Sequence, residues 1–143
     1  MGKIRVLFIC IHNSARSQMA EALLNDIASD RFEVESAGIE PGKLNPLAVE
    51  SMQEIGIDIS NKTTKSVFDL HSHAKTYDYI ITVCSQAQGQ RCPNFPSPAK
   101  RLSWEFNDPS SFSGSWEDKL KATGKIRDSI KEKIKAFLLD QSN

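Results

Sequence analysis

The sequence predicts an α/β fold, with a four-stranded parallel sheet covered by helices on both faces, in one domain over residues 1–143. Three observations lead there. A short apolar run near the start is followed by a polar loop and then by apolar residues at helical spacing, which is the opening unit of such folds. That alternation of strand and helix continues along the chain. At 143 residues, the chain is also long enough for one hydrophobic core and too short for two.

Residues 4–9 form a nearly continuous apolar run, as expected of a strand buried on both faces. From Arg16 the period changes: Met19, Leu23 and Ile27 recur at helical spacing with Ala20 and Leu24 beside them. Residues 32–37 alternate apolar and polar up to Gly38 and read as a second strand nearer the sheet edge. Asn45-Pro46 has the form of a helix start, with Leu47, Ala48, Met52 and Ile55 on one face and Gly56 just past the end. Residues 78–83, rich in β-branched and aromatic side chains, predict a third strand with Cys84 at its carboxyl end. Residues 85–98 turn to Gln, Gly, Asn and Pro, so a mobile segment with at most a short helix near Ala87 is expected, with Cys92 inside it. Residues 101–104 predict a short fourth strand, and Asn107-Asp108-Pro109 is a loop signal. Ile126, Ile130, Ile134 and Leu138 then mark one face of a long terminal helix with a solvated, Lys-rich opposite face.

Eighteen basic residues balance eighteen acidic ones, which argues against nucleic acid or an anionic membrane as partner and makes any anion preference local. No apolar stretch approaches a membrane span or a signal-peptide core, and Val6 stands where a myristoylation signal needs Ser or Thr. Three cysteines, Cys10, Cys84 and Cys92, are too few and of the wrong parity for a disulfide framework. A soluble protein of the reducing cytoplasm is expected, with monomer as the default state.

In a parallel sheet of this kind ligands bind beyond the carboxyl ends of the strands. Cys10, Cys84 and the loop holding Asp108 fall at that end. The most informative stretch is Cys10-Ile11-His12-Asn13-Ser14-Ala15-Arg16-Ser17. A tight loop running into a helix amino terminus turns successive backbone N–H groups towards one point and adds the helix dipole, making an anion site. Such a field favours a thiolate, the nucleophilic form, over a thiol. Arg16 offers a planar fork for two oxygens of a tetrahedral anion, and Ser17 a hydroxyl for the sulfur. A buried, inert cysteine is the common alternative, but it leaves Ser14, Arg16 and Ser17 at those offsets without a reason.

The stretch from Phe8 to Glu21, together with Ser36-Ala37-Gly38-Ile39-Glu40, Asn45-Pro46, Gly56-Ile57-Asp58-Ile59-Ser60-Asn61, Val83-Cys84 and Asp108-Pro109, resembles the low-molecular-weight tyrosine phosphatase superfamily, specifically its thioredoxin-coupled arsenate reductase branch. The resemblance covers nearly the whole chain and implies that superfamily's fold. The spacing from Cys10 to Arg16 by itself is only phosphatase-like; the extra cysteines favour the reductase.

The resemblance implies a mechanism in which Cys10 attacks arsenic while Asp108 protonates the departing hydroxyl. Cys84 then attacks Cys10, releasing arsenite and leaving a Cys10–Cys84 disulfide, and Cys92 moves the disulfide out to Cys84–Cys92, within reach of thioredoxin. No bound cofactor or catalytic metal is implied. Asn13 is expected to hold the loop in shape. Some members of the branch hold potassium with residues matching Asn13, Glu21 and Thr63 and an acidic group near position 65; here that position is Lys65, whose ammonium is expected to stand in for the metal.

The chain departs from the family pattern elsewhere. Seven residues separate Cys84 from Cys92, one more than in comparable members, and Arg91 precedes Cys92. Ala15 stands where many relatives carry a further cysteine, and Asn107 where an acidic neighbour is frequent. Ser110 and Ser111 follow Asp108-Pro109 where phosphatases carry aromatic residues. His12 is expected to face solvent, His71 and His73 receive no role, and Trp104 and Trp116 read as packing or rim residues. Two other functions fit parts of the pattern: a phosphotyrosine phosphatase using Cys10, Arg16 and Asp108, and a non-catalytic thiol protein binding arsenite or a soft metal through three sulfurs. Weak phosphatase activity is expected beside reduction, because phosphate and arsenate share shape and charge.

Overall fold

The computed structural model describes residues 2–72, 76–83 and 99–141. Four strands, β1 (Ile4–Cys10), β2 (Phe32–Gly38), β3 (Tyr79–Thr82) and β4 (Lys100–Ser103), form one sheet in the order β2-β1-β3-β4, every neighbouring pair parallel. The helices are α1 (Arg16–Ala28), α2 (Pro46–Gln53), α3 (Val67–Ser72) and α4 (Trp116–Gln141), with a 3-10 turn at Pro109–Ser111 before α4.

The alternation of side chains along β1 sorts the core into two faces. Val6, Phe8 and Cys10 point into a large cluster with Met19, Leu23 and Leu24 of α1, Met52 of α2 and Ile130, Ile134 and Phe137 of α4. Leu7 and Ile9 point the other way, onto Val67 and Leu70 of α3 and onto Tyr77 and Ile80. All of β1 from Val6 onward is buried, which is why it reads as an unbroken apolar run. The edge position expected for the second strand is observed.

Helix α1 is wrapped more completely than its period indicated. Arg16 through Leu24 are all buried, and Ala20, Ala22 and Ala28 let neighbouring elements come close. Ile27, expected in the core, is 37% exposed: it follows exposed Asn25 and Asp26 on the outward side of the last turn, and the buried Ala28 beside it takes the core position. Ile55 is likewise 36% exposed: α2 stops at Gln53, and Ile55 belongs to the turn leading to Gly56, whose positive φ of 81° suits glycine. Helix α3 was not expected. Its apolar anchors, Val67 and Leu70, are only two in six residues, too short a pattern to set a period.

Trp104 is buried and closes the core beside Phe8, with ring centroids 5.8 Å apart, while Trp116 lies half exposed at the start of α4. Phe137 is the hub of the aromatic cluster, with centroids 5.9 Å from Phe32, 5.2 Å from Tyr79 and 5.9 Å from Trp104. It fastens α4 to three strands or strand ends at once. Among the described residues no helix is long and apolar enough to cross a membrane. Replacing Phe137 by Ala is expected to destabilise the protein by about 3–5 kcal/mol, read as a lower midpoint in equilibrium urea denaturation.

Candidate functional site

The site is built where β1 ends. Cys10 pairs in register with Gly38, the last residue of β2, and the chain then turns directly over that glycine. A Cβ at Gly38 would lie 2.6 Å from the Ile11 carbonyl oxygen, 2.8 Å from the Asn13 nitrogen and 2.9 Å from the His12 carbonyl carbon. All three are backbone atoms, so only glycine permits the loop to close down here.

Beyond Gly38 the next segment braces the loop from outside. The amides of Glu40, Gly42 and Asn45 donate to the carbonyls of Ile11, His12 and Ser14 at 2.9, 3.0 and 2.9 Å. The peptides are trans, so the N–H of each braced peptide points opposite to its carbonyl; those of His12, Asn13 and Ala15 face away from the brace. The Asn13 amide meets Cys10 Sγ at 3.2 Å. Helix α1 begins at Arg16 with Ala15 as its cap residue and no side-chain cap, which leaves the helix amino end to serve a ligand.

Asn13 organises the interior of the loop. It adopts a left-handed backbone, φ 54°, which asparagine tolerates better than most residues. Its side chain is saturated: Oδ1 accepts from Gln18 Nε2 (3.1 Å) and the Lys65 amide (2.9 Å), while Nδ2 donates to Ser17 Oγ (2.7 Å) and Ser36 Oγ (3.0 Å). Ser17 Oγ, which accepts from Asn13, also lies 2.9 Å from Cys10 Sγ, a contact in which the hydroxyl can donate to the sulfur or accept from the thiol. Cys10 is buried, and its sulfur accepts from the Asn13 amide and touches the Ser17 hydroxyl, a group able to donate to it.

Arg16 is buried and reaches across to the segment before α4. Its guanidinium donates to the Phe106 carbonyl at 3.0 Å and lies 3.4 Å from Asp108 Oδ2. The other Asp108 oxygen accepts from the Ser110 amide at 3.0 Å, and the Asp108 carbonyl takes both the amide and the hydroxyl of Ser111, so Pro109–Ser111 winds into a fixed turn around the carboxylate. The Cys10 thiol, the Arg16 guanidinium and the Asp108 carboxylate are thus assembled at one strand end.

Behind the loop, Ser36 Oγ donates to Glu21 Oε1 at 2.8 Å. Glu21 is 4% exposed, and two ammonium groups face it: Lys62 Nζ at 3.3 Å and Lys65 Nζ at 3.9 Å. Thr63 is exposed and contributes its carbonyl to Gln18 Nε2, at 3.0 Å. These residues do not fit a resident potassium ion. The Asn13 oxygen is already occupied by two donors, and a metal ion beside Glu21 would sit against two ammonium groups. Among the described residues no cluster of His, Cys, Asp and Glu could hold a metal.

The expected site residues divide as follows. Cys10, Ile11, His12, Asn13, Ser14, Ala15, Arg16 and Ser17 form one loop, with Asp108 against Arg16 and Glu21 behind. His12 is exposed, its Nδ1 2.9 Å from the Glu40 carbonyl. Cys84, Cys92 and the short helix expected near Ala87 lie outside the described residues. Sequence reasoning missed Gln18, Ser36, Gly38, Lys62 and the Phe106 carbonyl as parts of the site. Ser36 and Gly38 were visible in a family-like stretch but carried no assigned task, and a backbone carbonyl has no signature in the sequence.

The family described as low molecular weight phosphotyrosine protein phosphatase matches the chain over residues 5–142. The arsenate reductase of Shouchella clausii is 41% identical over 138 residues, 96% of each chain. Among solved structures, an arsenate reductase in the phosphate binding state superimposes with a TM-score of 0.78 at 29% identity, over 96% of this chain and 98% of that one. The Corynebacterium glutamicum thioredoxin-dependent arsenate reductase gives a TM-score of 0.65 at 34% identity over 96% of this chain, which spans 63% of that one. Gly38→Ala is expected to cost about 1–3 kcal/mol and to weaken binding of inorganic phosphate, measured as a smaller rise in thermal midpoint on adding the anion.

Proposed function

Since the chain belongs to the low molecular weight phosphotyrosine protein phosphatase family and is similar to arsenate reductases over nearly its whole length, we propose that it reduces arsenate to arsenite with Cys10 as nucleophile. The observation that carries this reading is the Cys10 sulfur between the Ser17 hydroxyl at 2.9 Å and the Asn13 amide at 3.2 Å, beside the buried Arg16–Asp108 pair.

Arsenate enters with its oxygens towards the loop amides, the α1 amino end and the Arg16 fork. At rest Arg16 faces the Asp108 carboxylate. An arriving anion competes for the guanidinium, and Asp108, weakened in its hold on that cation and gaining an anionic neighbour, takes up a proton. The Cys10 thiolate forms a bond to arsenic, an As–O bond breaks, and Asp108 delivers its proton so that water leaves.

The adduct still holds As(V). Two electrons come from two thiols: Cys84 attacks the Cys10 sulfur, the S–As bond breaks with its electron pair remaining on arsenic, and arsenite departs from a Cys10–Cys84 disulfide. Cys92 then attacks Cys84, restoring the Cys10 thiolate and leaving Cys84–Cys92 for reduction by a thioredoxin-type dithiol. Val83, the residue before Cys84, donates its amide to the Ile9 carbonyl at 2.9 Å, one residue before Cys10. That pairing supports the first exchange. The relay, the external thioredoxin, the cytoplasmic location, the monomeric state and a weak phosphatase side activity all belong to this proposal. We read the ammonium groups on Glu21 as serving in place of potassium; Lys65 shares that place with Lys62, which lies nearer.

Two assays test the reading. Wild type is expected to turn over arsenate with a thioredoxin system, and Cys84→Ser to lose this by at least about two orders of magnitude while still hydrolysing an aryl phosphate. Arsenate reduction by Cys84→Ser at the wild-type rate would overturn the relay, and absence of arsenate turnover in both proteins would leave the phosphatase reading. Exchange of potassium for sodium at constant ionic strength is expected to leave turnover unchanged, and strong selective stimulation by potassium would count against the lysine substitution.

A further inference from the structure

The most completely connected polar cluster outside the reacting atoms runs from the surface to the nucleophile. Lys62 Nζ faces Glu21 Oε2 at 3.3 Å; Ser36 donates to Glu21 Oε1 at 2.8 Å; Asn13 Nδ2 donates to Ser36 Oγ at 3.0 Å and to Ser17 Oγ at 2.7 Å; Ser17 Oγ lies 2.9 Å from Cys10 Sγ. Glu21, Ser36, Asn13 and Ser17 are each at most 4% exposed. A buried carboxylate without a cation is costly and draws hydrogen-bond donors towards itself. Here the cation comes from outside the core: the Lys62 side chain is 39% exposed.

Lys62 is held where it is by a built turn. Ile59, 1% exposed, anchors the turn in the core, the Lys62 amide donates to the Ile59 carbonyl at 3.0 Å, and the Ser60 amide donates to Asp58 Oδ1 at 2.9 Å. Lys65 is farther from the carboxylate, at 3.9 Å, and its firmer link to the network is its backbone amide on Asn13 Oδ1.

We propose that Lys62 is a positioning residue for the nucleophile: its ammonium balances buried Glu21, and through Ser36 and Asn13 this holds Ser17 and the loop amides in the geometry that presents Cys10. The proposal deepens the preceding reading at Cys10 but does not depend on arsenate, so its test uses no arsenate.

The readout is the rate at which iodoacetamide alkylates Cys10 in the intact protein, followed by mass spectrometry of the peptide carrying that residue. Lys62→Ala is expected to slow alkylation by about tenfold, the scale on which residues behind a reacting group act. Lys62→Arg, or Lys62→Ala with added methylammonium, should regain most of the rate. Lys65→Ala should have a smaller effect than Lys62→Ala. In a Glu21→Gln background, where there is no charge to balance, Lys62→Ala should add nothing, since the coupling runs through that carboxylate. Alkylation of Lys62→Ala at the wild-type rate would overturn the proposal, as would an undiminished effect of Lys62→Ala in the Glu21→Gln background, or failure of both Lys62→Arg and methylammonium to restore the rate. If Glu21→Gln does not fold, the arginine and methylammonium arms decide alone.

Discussion

The site depends on the close passage of the Cys10 loop over Gly38. Nothing larger than hydrogen fits between them, so the loop can sit low enough for Asn13 to reach Ser36 behind it and for three of its carbonyls to be tied by residues 40, 42 and 45. With those carbonyls held on one side, the corresponding amides face the other. The surface of backbone N–H groups, to which the proposed function brings an anion, follows from the steric condition at one glycine.

Two charged assemblies flank that surface and act differently. Arg16 and Asp108 are both buried and joined at 3.4 Å across elements far apart in the chain; in the proposed reaction that pairing is exchanged when a tetrahedral anion offers the guanidinium another partner. The Lys62–Glu21–Ser36–Asn13 chain lies behind the loop and reaches it through Asn13, and we have proposed that it supports the loop there. The first assembly takes part in the proposed reaction, and the second has the proposed task of positioning the loop.

The legibility of the sequence varied with how local the physics was. Four strands and the helices now called α1, α2 and α4 were readable because period and caps are local, as at Asn45, whose side chain accepts from the Leu47 amide at 2.9 Å. Ile27 and Ile55 were misjudged as core because period gives a direction and not the distance to the next element. Helix α3 went unseen because its two core-facing residues, Val67 and Leu70, with exposed Phe68 between them, set no period, although they cover Leu7 and Ile9. In the site, Cys10, Arg16, Ser17 and Asp108 were legible through the chemistry their types and spacing carry. Lys62 was not, since only the turn pinned by Ile59 sets a surface lysine beside a buried carboxylate.

By itself the sequence determined the α/β alternation and the placing of the Cys10–Ser17 loop at the end of the first strand. Both rest on interactions between residues a few positions apart, and spacing encodes such interactions directly. The tertiary structure decided which distant groups complete the loop: the Phe106 carbonyl and Asp108 on Arg16, Ser36 and Gly38 from the neighbouring strand, and the two ammonium groups on Glu21. Those contacts join residues separated by long stretches of chain, and packing of the sheet against its helices sets distances that no local pattern contains.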